Sequence, residues 1–425
     1  MIKNNTLVYC LKRDLLNFAE KISDGLDRTK EKFLPSMLYG ILASQSVMLS
    51  NIGRALQETI SIKKTVERLS RNLKDFHQDT TAVKQNYLEE VKPFIDEETI
   101  FCLDPGDISK TYSRHQEGLD WLWDGSAKTT ARGWYLYEMV ALTHKKKLPI
   151  PVYTQVVSPS DPISGGQTDE ILMAIRSTQQ TFGATGIFTM DRGMDNEPIY
   201  EHCLDSNQKF VIRSKVNRRL MIGNKALETS EIAENMRGKY RLDFTDKKNT
   251  NHRLKVSFQS VHLPSRPDHL LTLVIVYGFD KDDPMLLLTN LPVCGKQTCL
   301  CAVKTYLCRW RIEEYYRFKK TQFDMENIRV LSMDSICSMI FLLSILSGWI
   351  AMFANKKGES LLLEAVFSRA KRVHGIPQFT LYAVADGIYD ILKRATKGIR
   401  FALLHPTQSQ QLSLFKSSTF NHSAA

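Results

Sequence analysis

Cysteine is scarce in this sequence: eight cysteines in 425 residues are too few for a disulfide framework. The Cys-x-x-Cys pair of many metal and redox sites is also missing. Cys294, Cys299, Cys301 and Cys308 cluster, but they lack zinc-finger spacing and a nearby histidine. We therefore expect reduced thiols, with a metal site as the less favoured alternative.

The N-terminus has no apolar segment of the kind that signal peptides carry, which predicts a cytosolic protein. The one long apolar stretch, 336–354, is almost long enough to cross a bilayer, which takes about 20 residues. Because it contains three serines and a glycine and has no counterpart elsewhere, we favour a helix buried in a soluble core. A membrane span is the alternative, and no internal repeat is visible.

The composition is that of a soluble globular protein, with 43% apolar and 24% charged residues. The length corresponds to roughly two to four domains. Lysine and arginine number 57 against 46 acidic residues, a net charge of +11. This surplus favours a polyanionic partner, above all nucleic acid.

The first 95 residues are predicted to be helical. Within them, the segment 62–74 carries apolar residues at helical spacing on one face and basic residues elsewhere. Arg68 and Arg71 are the residues that we expect to contact DNA phosphates or base edges. A solvated amphipathic helix is the alternative, and composition does not separate the two.

After residue 95 short apolar runs typical of buried strands take over. Five strands are predicted at 99–104, 133–142, 148–157, 186–191 and 209–213. One capped helix is predicted at 168–182. The turn-rich segment 220–292 predicts an antiparallel, strand-rich insertion. Helices return at 296–320, 336–354 and 360–397, and a disordered tail follows from about 404.

Three acidic residues fit one site. Asp104 and Asp191 each end an apolar strand, at the edge where a sheet presents side chains, and Glu313 lies in a basic helix. Such a set can hold two hard divalent cations, which activate a water or a 3′-hydroxyl at a phosphodiester. Carboxylates so close repel one another, so that we expect an unstable or partly protonated site without metal. Taken singly, each acid is more simply explained by turn or helix-surface chemistry.

The basic helix adds a spacing that the single acids lack. Tyr306, Arg309, Glu313 and Lys320 stand at i, i+3, i+7 and i+14, and therefore near one helical face. A face with an aromatic ring, a carboxylate, an arginine and a lysine suits the handling of phosphates. The order Tyr-x2-Arg-x3-Glu-x6-Lys resembles the signature of bacterial DDE transposases of the insertion sequence four family.

The two aspartates extend the resemblance. Asp104 in Leu-Asp-Pro-Gly-Asp-Ile and Asp191 in Met-Asp-Arg-Gly resemble the family's first and second aspartates. The long gap to Glu313 matches the β-rich insertion of that family, and Glu313 is chosen over Glu314 because it alone keeps both spacings. The resemblance implies an RNase H-like core in which these three residues hold Mg²⁺, two ions per site, with Mn²⁺ able to substitute.

The same resemblance implies contacts to the transposon end from Tyr306, Arg309 and Lys320. Trp310 follows the signature arginine and is expected to stack on a displaced base, with a core aromatic as an equal alternative. Family members cut by hydrolysis, pass through a hairpin and insert their 3′-ends into target DNA. The residues here are compatible with that chemistry.

The expected architecture is α/β, an RNase H-like catalytic core with a β-strand-rich insertion, a helical N-terminal domain and a helical C-terminal region. The domains are predicted at 1–95 (DNA end binding), 96–355 (catalytic core, insertion about 220–292), 356–403 (helical) and 404–425 (disordered). The expected function is cut-and-paste transposition in the bacterial cytoplasm at the nucleoid, on double-stranded DNA and through a dimer, with no membrane role. An RNase H-like nuclease without strand transfer and a non-catalytic DNA-binding protein are the alternatives.

The tail carries a separate motif, Gln411, Leu412, Ser413, Leu414 and Phe415. It resembles the pentapeptide by which many bacterial proteins dock on the replication sliding clamp. Short motifs often match by accident, so an accidental apolar patch is the alternative. If the motif is genuine, the sequence predicts a second macromolecular partner besides DNA.

Overall fold

The structure is a computed structural model that describes residues 4–124, 128–161, 165–245, 250–279, 284–355, 361–370, 380–395 and 397–399. The helices are α1 (Asn4–Ile22), α2 (Arg28–Ser44), α3 (Leu49–Ala55), α4 (Ile62–Asp75), α5 (Thr80–Val91), α6 (Gln167–Phe182), α7 (Glu197–Asp205), α8 (Thr229–Glu234), α9 (Lys296–Leu307), α10 (Trp310–Gln322), α11 (Met333–Ala354), α12 (Leu361–Arg369) and α13 (Leu381–Leu392). The strands are β1 (Ile100–Ser109), β2 (Asp120–Asp124), β3 (Thr129–Leu142), β4 (Pro149–Val157), β5 (Ile187–Met190), β6 (Lys209–Arg213), β7 (Arg219–Ile222), β8 (Lys225–Glu228), β9 (Tyr240–Thr245), β10 (Asn251–Leu263), β11 (Arg266–Tyr277) and β12 (Met285–Thr289).

The centre of the fold is a five-stranded unit in the spatial order β4-β3-β1-β5-β6. Strand β3 runs antiparallel to β1 and β4, whereas β5 and β6 run parallel to β1. The crossover from β4 to β5 contains α6, which packs on β3 and β4. This order and these directions are those of an RNase H-like core, and the predicted fold class is confirmed.

The sheet continues beyond β6 through the strands that the sequence assigned to an insertion. Strand β12 pairs antiparallel with β6, and β11, β10, β7 and β8 follow in that order, with β9 on β10. Helix α9 packs on β6, β10 and β11 and closes a second apolar cluster against them. The antiparallel, strand-rich character predicted for this segment is confirmed.

The N-terminal helices do not form a core of their own. Helices α2, α4 and α5 pack against α11, and α1 and α2 also contact α13. One hydrophobic cluster therefore runs from Leu7 to Ile399 through the sheet. Helix α11 is long and apolar enough to cross a membrane, but 89% of its most apolar window is buried inside the protein. Its neighbours on several sides explain why it is apolar all round. The domain boundaries stay predictions.

Three local features differ from expectation. Strand β1 does not stop at Asp104 but runs on through Pro105 and Gly106 to Ser109. Its pairing with β5 ends at Cys102, so that the proline falls where β1 has a strand partner on one side only, and there a missing N–H costs least. The predicted helix 296–320 is broken between α9 and α10, and β2 was not foreseen.

Candidate active site

Asp104 lies in the middle of β1, close to the point where β5 ends. Its side chain is 17% exposed. Burial raises the pKa of Asp104 to about 7, Arg309 opposes the rise, and the carboxylates of Asp191 and Glu313 add to it. The structure therefore brings the three sequence-predicted acids close enough to interact electrostatically.

Arg309 lies between two of these acids. One guanidinium nitrogen, Nη2, is 2.5 Å from Oε1 of Glu313, and the other, Nη1, is 3.7 Å from Oδ2 of Asp104. The guanidinium also stands 5.9 Å from the ring centre of Tyr306. Burial disfavours the charge, but these neighbours together raise the pKa of Arg309. A permanent cation thus occupies the space between the carboxylates of β1 and α10.

Asp191 directly follows β5, at the edge of the sheet where the parallel strands end. Its Oδ1 accepts the backbone N–H of Gly193 at 2.8 Å, which closes the short turn after the strand. The loop beyond is held by Asp195, which is fully buried and accepts the backbone N–H of Lys215 at 2.6 Å. Arg218 forms an ion pair with the same carboxylate. The position of Asp191 is therefore fixed from both sides of its turn.

The donor set of this site is that of a hard divalent cation, since all three acids offer carboxylate oxygens. Among the residues that the structure describes, no three His, Cys, Asp or Glu side chains stand close enough to ligate a metal ion as they are placed. The guanidinium of Arg309 lies between Asp104 and Glu313 and contacts both. The chemistry of the residues fits a metal, and their present spacing does not.

The remaining residues of the predicted helix face divide into two groups. Tyr306 is buried at the end of α9 and faces Arg309, next to the acids. Lys320 lies farther along, 2.9 Å from a carboxylate oxygen of Glu326 and 3.4 Å from one of Asp107. Trp310 is half-buried outside the apolar clusters, with the guanidinium of Arg311 4.4 Å from its ring centre. Lys320 therefore contacts Asp107 near the C-terminal end of β1 and does not pair with Asp104, Asp191 or Glu313 among the described contacts.

Tyr316 was not identified from the sequence, although it touches the site. Its hydroxyl donates to the backbone carbonyl oxygen of Asp104 at 2.5 Å. The ring lies so close to β1 that a Cβ at Gly106 would stand 3.1 Å from it, which explains the glycine there. Nothing in the local sequence links a tyrosine of α10 to a carbonyl of β1, because 212 positions separate the two residues.

A second carboxylate of the sheet also meets α10. Glu138 is the cross-strand neighbour of Asp104 and forms an ion pair with Lys319, and neither side chain is exposed. The Glu138 carboxylate also accepts hydrogen bonds from the hydroxyl groups of Thr154 at 3.0 Å and Ser344 at 2.8 Å. This pair joins β3, β4, α10 and α11 and so fixes the height of α10 above the sheet.

The residues predicted to bind DNA in the N-terminal region take different positions. Arg71 is exposed on α4 and lines a cleft of about 660 Å³. Arg68 is half-buried and forms an ion pair with Glu58 at 2.6 Å. The motif at 411–415 lies outside the described residues. All eight cysteines lie in the described residues, and none of them forms a disulfide there.

Comparisons with known proteins found a family model and a solved structure that resemble this chain. Residues 96–348, more than half of the chain, match the family model described as "Transposase DDE domain". Among solved structures, the chain is similar to one titled "Cryo-EM structure of piggyBac transposase synaptic complex with hairpin DNA", with 11% identity and a TM-score of 0.46. That match covers 100% of this chain and 87% of the other.

Proposed function

The chain belongs to the family of transposases with a DDE domain, and from this premise we propose that it is a cut-and-paste transposase of the insertion sequence four type. It binds the terminal inverted repeats of its element, cleaves at these ends and joins the 3′-hydroxyl ends to target DNA. The observation that carries the proposal is the convergence of Asp104, Asp191 and Glu313 around the signature residue Arg309.

DDE transposases depend on divalent metal ions, and we assign Mg²⁺ to this site, two ions with Mn²⁺ as a substitute. Asp104, Asp191 and Glu313 are the residues that hold them. The metal supplies activation of the attacking oxygen and stabilisation of the leaving oxygen. Asp104 is presented by β1 at a height set by the Tyr316 hydroxyl, and Glu313 is presented by the first turn of α10.

Arg309, Tyr306 and Lys320 contact the transposon end in this proposal. A guanidinium binds phosphate oxygens in pairs, which a lysine does not, so Arg309 is suited to the phosphate next to the cleaved bond. Lys320 lies beside Asp107, which is beyond Asp104 along β1. It therefore contacts a phosphate farther along the DNA strand. Trp310 is only half-buried and lies outside the core clusters, which leaves its ring accessible for stacking on an unpaired base.

Helix α4 is the proposed element for recognition of the repeat. Its exposed Arg71 and Lys74 line the cleft together with Arg329, and only one acid, Asp75, is among the lining residues. Cations gathered around a cleft of this kind favour a phosphate backbone. Since α1–α5 share their core with α11 and α13, binding is best measured on the full chain rather than on residues 1–95.

A second cationic surface lies on the insertion. Arg241 of β9 and Lys255 of β10 are directly opposite each other and both exposed. Lys239 precedes β9, and Arg253 stands opposite the exposed Asp243 in the next pair on the same face. None of the four takes part in an ion pair with another described residue. Like charges opposite each other weaken a strand pair, so this arrangement is more readily explained by a polyanion such as DNA than by folding.

A strand-transfer assay tests the proposed function. The full-length protein is mixed with Mg²⁺, a plasmid target and fragments of the DNA that flanks the coding region, cut to expose a 3′-hydroxyl. We expect joined products, and we expect none from the same fragments with a 3′-deoxy end, which lack the nucleophile. Cutting without joining would instead identify a nuclease, and binding without either would identify a non-catalytic DNA-binding protein.

We also propose that the protein acts as a dimer on the paired transposon ends, in the bacterial cytoplasm at the nucleoid. The proposed protein partner is the sliding clamp, which binds the segment 411–415. A peptide of residues 405–425 is expected to bind purified clamp with a dissociation constant of about micromolar, because a short peptide makes few contacts. A peptide with Leu414→Ala and Phe415→Ala is the control. Equal binding of both peptides, or of neither, would leave the motif without a role.

A further inference from the structure

We infer that Arg309 is the counter-cation of the metal-free site and that it exchanges with a divalent metal ion when a DNA phosphate takes over its guanidinium. The inference rests on the proposed function for the identity of the acids as metal ligands. It adds a role for the arginine that precedes its contact with DNA. The consequence is a coupling between DNA binding and metal binding.

The first observation is the place of the guanidinium. It contacts Glu313 at 2.5 Å and approaches Asp104 at 3.7 Å from two different nitrogens, so that it spans the two carboxylates. The side chains of Arg309 and Asp104 are each only 17% exposed, whereas that of Glu313 is 38% exposed. The contact is thus shielded on the side of β1 and open on the side of α10.

The second observation is that a metal ion and this guanidinium need the same space. Mg²⁺ binds oxygens at about 2.0–2.1 Å, so two carboxylates that share one ion stand much closer than two that flank a guanidinium. As Arg309 is placed, no three potential ligands among the described residues meet that condition. Two cations between the same acids would also repel each other. Occupation by Arg309 and by metal is therefore mutually exclusive.

DNA provides a partner that can draw Arg309 away. A phosphodiester offers two oxygens to the guanidinium, as a carboxylate does, and Arg309 stands at the junction of α9 and α10 beside the open, Glu313 side of the site. When the guanidinium turns to a phosphate, Asp104 and Glu313 lose the positive charge of Arg309. Their negative charge is then available to a divalent ion.

Coupling of this kind is reciprocal: DNA must raise the affinity for metal by the same factor by which metal raises the affinity for DNA. Such couplings typically amount to about 5-fold to 150-fold. For a transposase the benefit is that the complete metal site forms mainly where a DNA strand is already in place. Cleavage of unrelated phosphodiesters by free protein is thereby limited.

The test measures Mn²⁺ binding by isothermal titration calorimetry and by the electron paramagnetic resonance signal of free Mn²⁺. The full-length protein is compared with Arg309→Gln, which keeps hydrogen-bonding capacity but removes the charge. Arg317→Gln is the matched control, since Arg317 lies on the same helix and pairs with Glu314, which is not an assigned ligand. Each protein is measured alone and with a saturating amount of the flanking DNA.

Without DNA, Arg309→Gln should bind Mn²⁺ at least about fivefold more tightly than the unmodified protein, and Arg317→Gln should bind it equally. With DNA, the gain in affinity should be large in the unmodified protein and small in Arg309→Gln. Equal affinity of Arg309→Gln and the unmodified protein in the absence of DNA overturns the inference. If Arg309→Gln does not fold, Arg309→Lys is used, for which a smaller increase is expected and an unchanged affinity is the contrary result.

Asp104→Asn separates failure of this inference from failure of the proposed site. If Asp104→Asn removes Mn²⁺ binding while Arg309→Gln has no effect, the metal site stands and the exchange does not. If Asp104→Asn leaves Mn²⁺ binding intact, the assignment of the metal ligands is itself wrong.

Discussion

Helix α10 meets the sheet through two groups of carboxylates and cations that differ in almost everything except composition. One, the rim cluster, consists of Asp104, Asp191, Glu313 and Arg309, and it is partly exposed. The other, the buried pair, consists of Glu138 and Lys319, and it is not exposed at all. Asp104 and Glu138 are cross-strand neighbours, so the two groups lie side by side.

The difference lies in charge balance and hydrogen bonding. In the buried pair one anion faces one cation, and hydroxyl groups from two other elements bind the remaining lone pairs of the carboxylate. In the rim cluster three acids lie around Arg309, and the pKa of Asp104 is raised by burial and by the other acids. An accessible acid whose pKa is raised in this way points to a ligand, whereas balanced and buried charge points to structure.

The largest effect should come from the rim cluster. Asp104→Asn, Asp191→Asn and Glu313→Gln should each lower the rate of cleavage at element ends on the order of a thousandfold or more, because each removes a charge that the transition state requires. The fold should persist, since relief of repulsion does not destabilise it. Gel assays of end cleavage measure the rate, and anisotropy confirms DNA binding.

Glu314→Gln is the matched control for Glu313→Gln. Glu314 is buried, pairs with Arg317 at 2.8 Å and is not an assigned metal ligand. The Glu314→Gln protein should cleave at a rate close to that of the unmodified protein. A Glu313→Gln protein that cuts at a normal rate would show that the rim cluster has been assigned wrongly.

The buried pair should affect stability instead. Glu138→Gln or Lys319→Met alone leaves an unpaired buried group, and the loss of one partner of a buried pair costs about 3–5 kcal/mol in the free energy of unfolding. The double variant leaves no lone charge and should lose less than the two single variants combined. Urea unfolding of all four proteins completes the cycle. Simple additivity would mean that the two residues do not act as a pair.

Lys12 extends the comparison to a buried cation that pairs with no carboxylate among the described residues. It is 7% exposed, and its ammonium group donates to the backbone carbonyl oxygens of Lys397 and Gly398. Burial lowers the pKa of Lys12 from 10.5 to about 8. The folded protein therefore binds fewer protons than the unfolded chain between these values, and the free energy of unfolding should rise with pH across that window.

The variant Lys12→Met should lack this rise, so that its stability relative to the unmodified protein falls by about 1–3 kcal/mol between pH 8 and pH 10. Urea unfolding at the two pH values measures the difference, and other titrating groups cancel in the comparison. A difference that does not vary with pH would place the charge of Lys12 in contact with water.

The residues of the rim cluster could be predicted from the sequence, and the buried pair could not. Apolar runs ending in an acid located Asp104 and Asp191, and a helical spacing located Arg309 and Glu313; these are local patterns. Glu138 and Lys319 stand 181 positions apart, and only the folded sheet brings them together. A buried ion pair leaves no periodic signal, because each partner resembles an ordinary surface residue in its own segment.

Local patterns also failed where tertiary structure decided the backbone. The break between α9 and α10 contains neither proline nor glycine, and it is closed by a short bond from the Arg309 N–H to the Tyr306 carbonyl oxygen at 2.8 Å. Strand β2 was missed because it exposes its tryptophans, Trp121 and Trp123, and buries Leu122 between them. Its alternation was present in the sequence, but its large aromatic residues do not face a core.

The smallest expected effect separates two arginines of α4 by the same criterion of pairing. Arg68 is bound to Glu58, which also accepts the hydroxyl of Thr65 at 3.0 Å, whereas Arg71 is exposed in the cleft. Arg71→Ala should weaken binding of the full chain to its terminal repeat by about 1 kcal/mol and lower the salt dependence by about one phosphate contact. Arg68→Ala should change DNA binding less and instead lower the free energy of unfolding, because Glu58 is left nearly buried without its cation.

Fluorescence anisotropy over a series of salt concentrations measures the effect on DNA binding, and urea unfolding measures the effect on stability. If Arg68→Ala reduced the salt dependence as much as Arg71→Ala, the ion pair with Glu58 would have to open on DNA, and pairing in the free protein would no longer distinguish structural cations from those that bind phosphate.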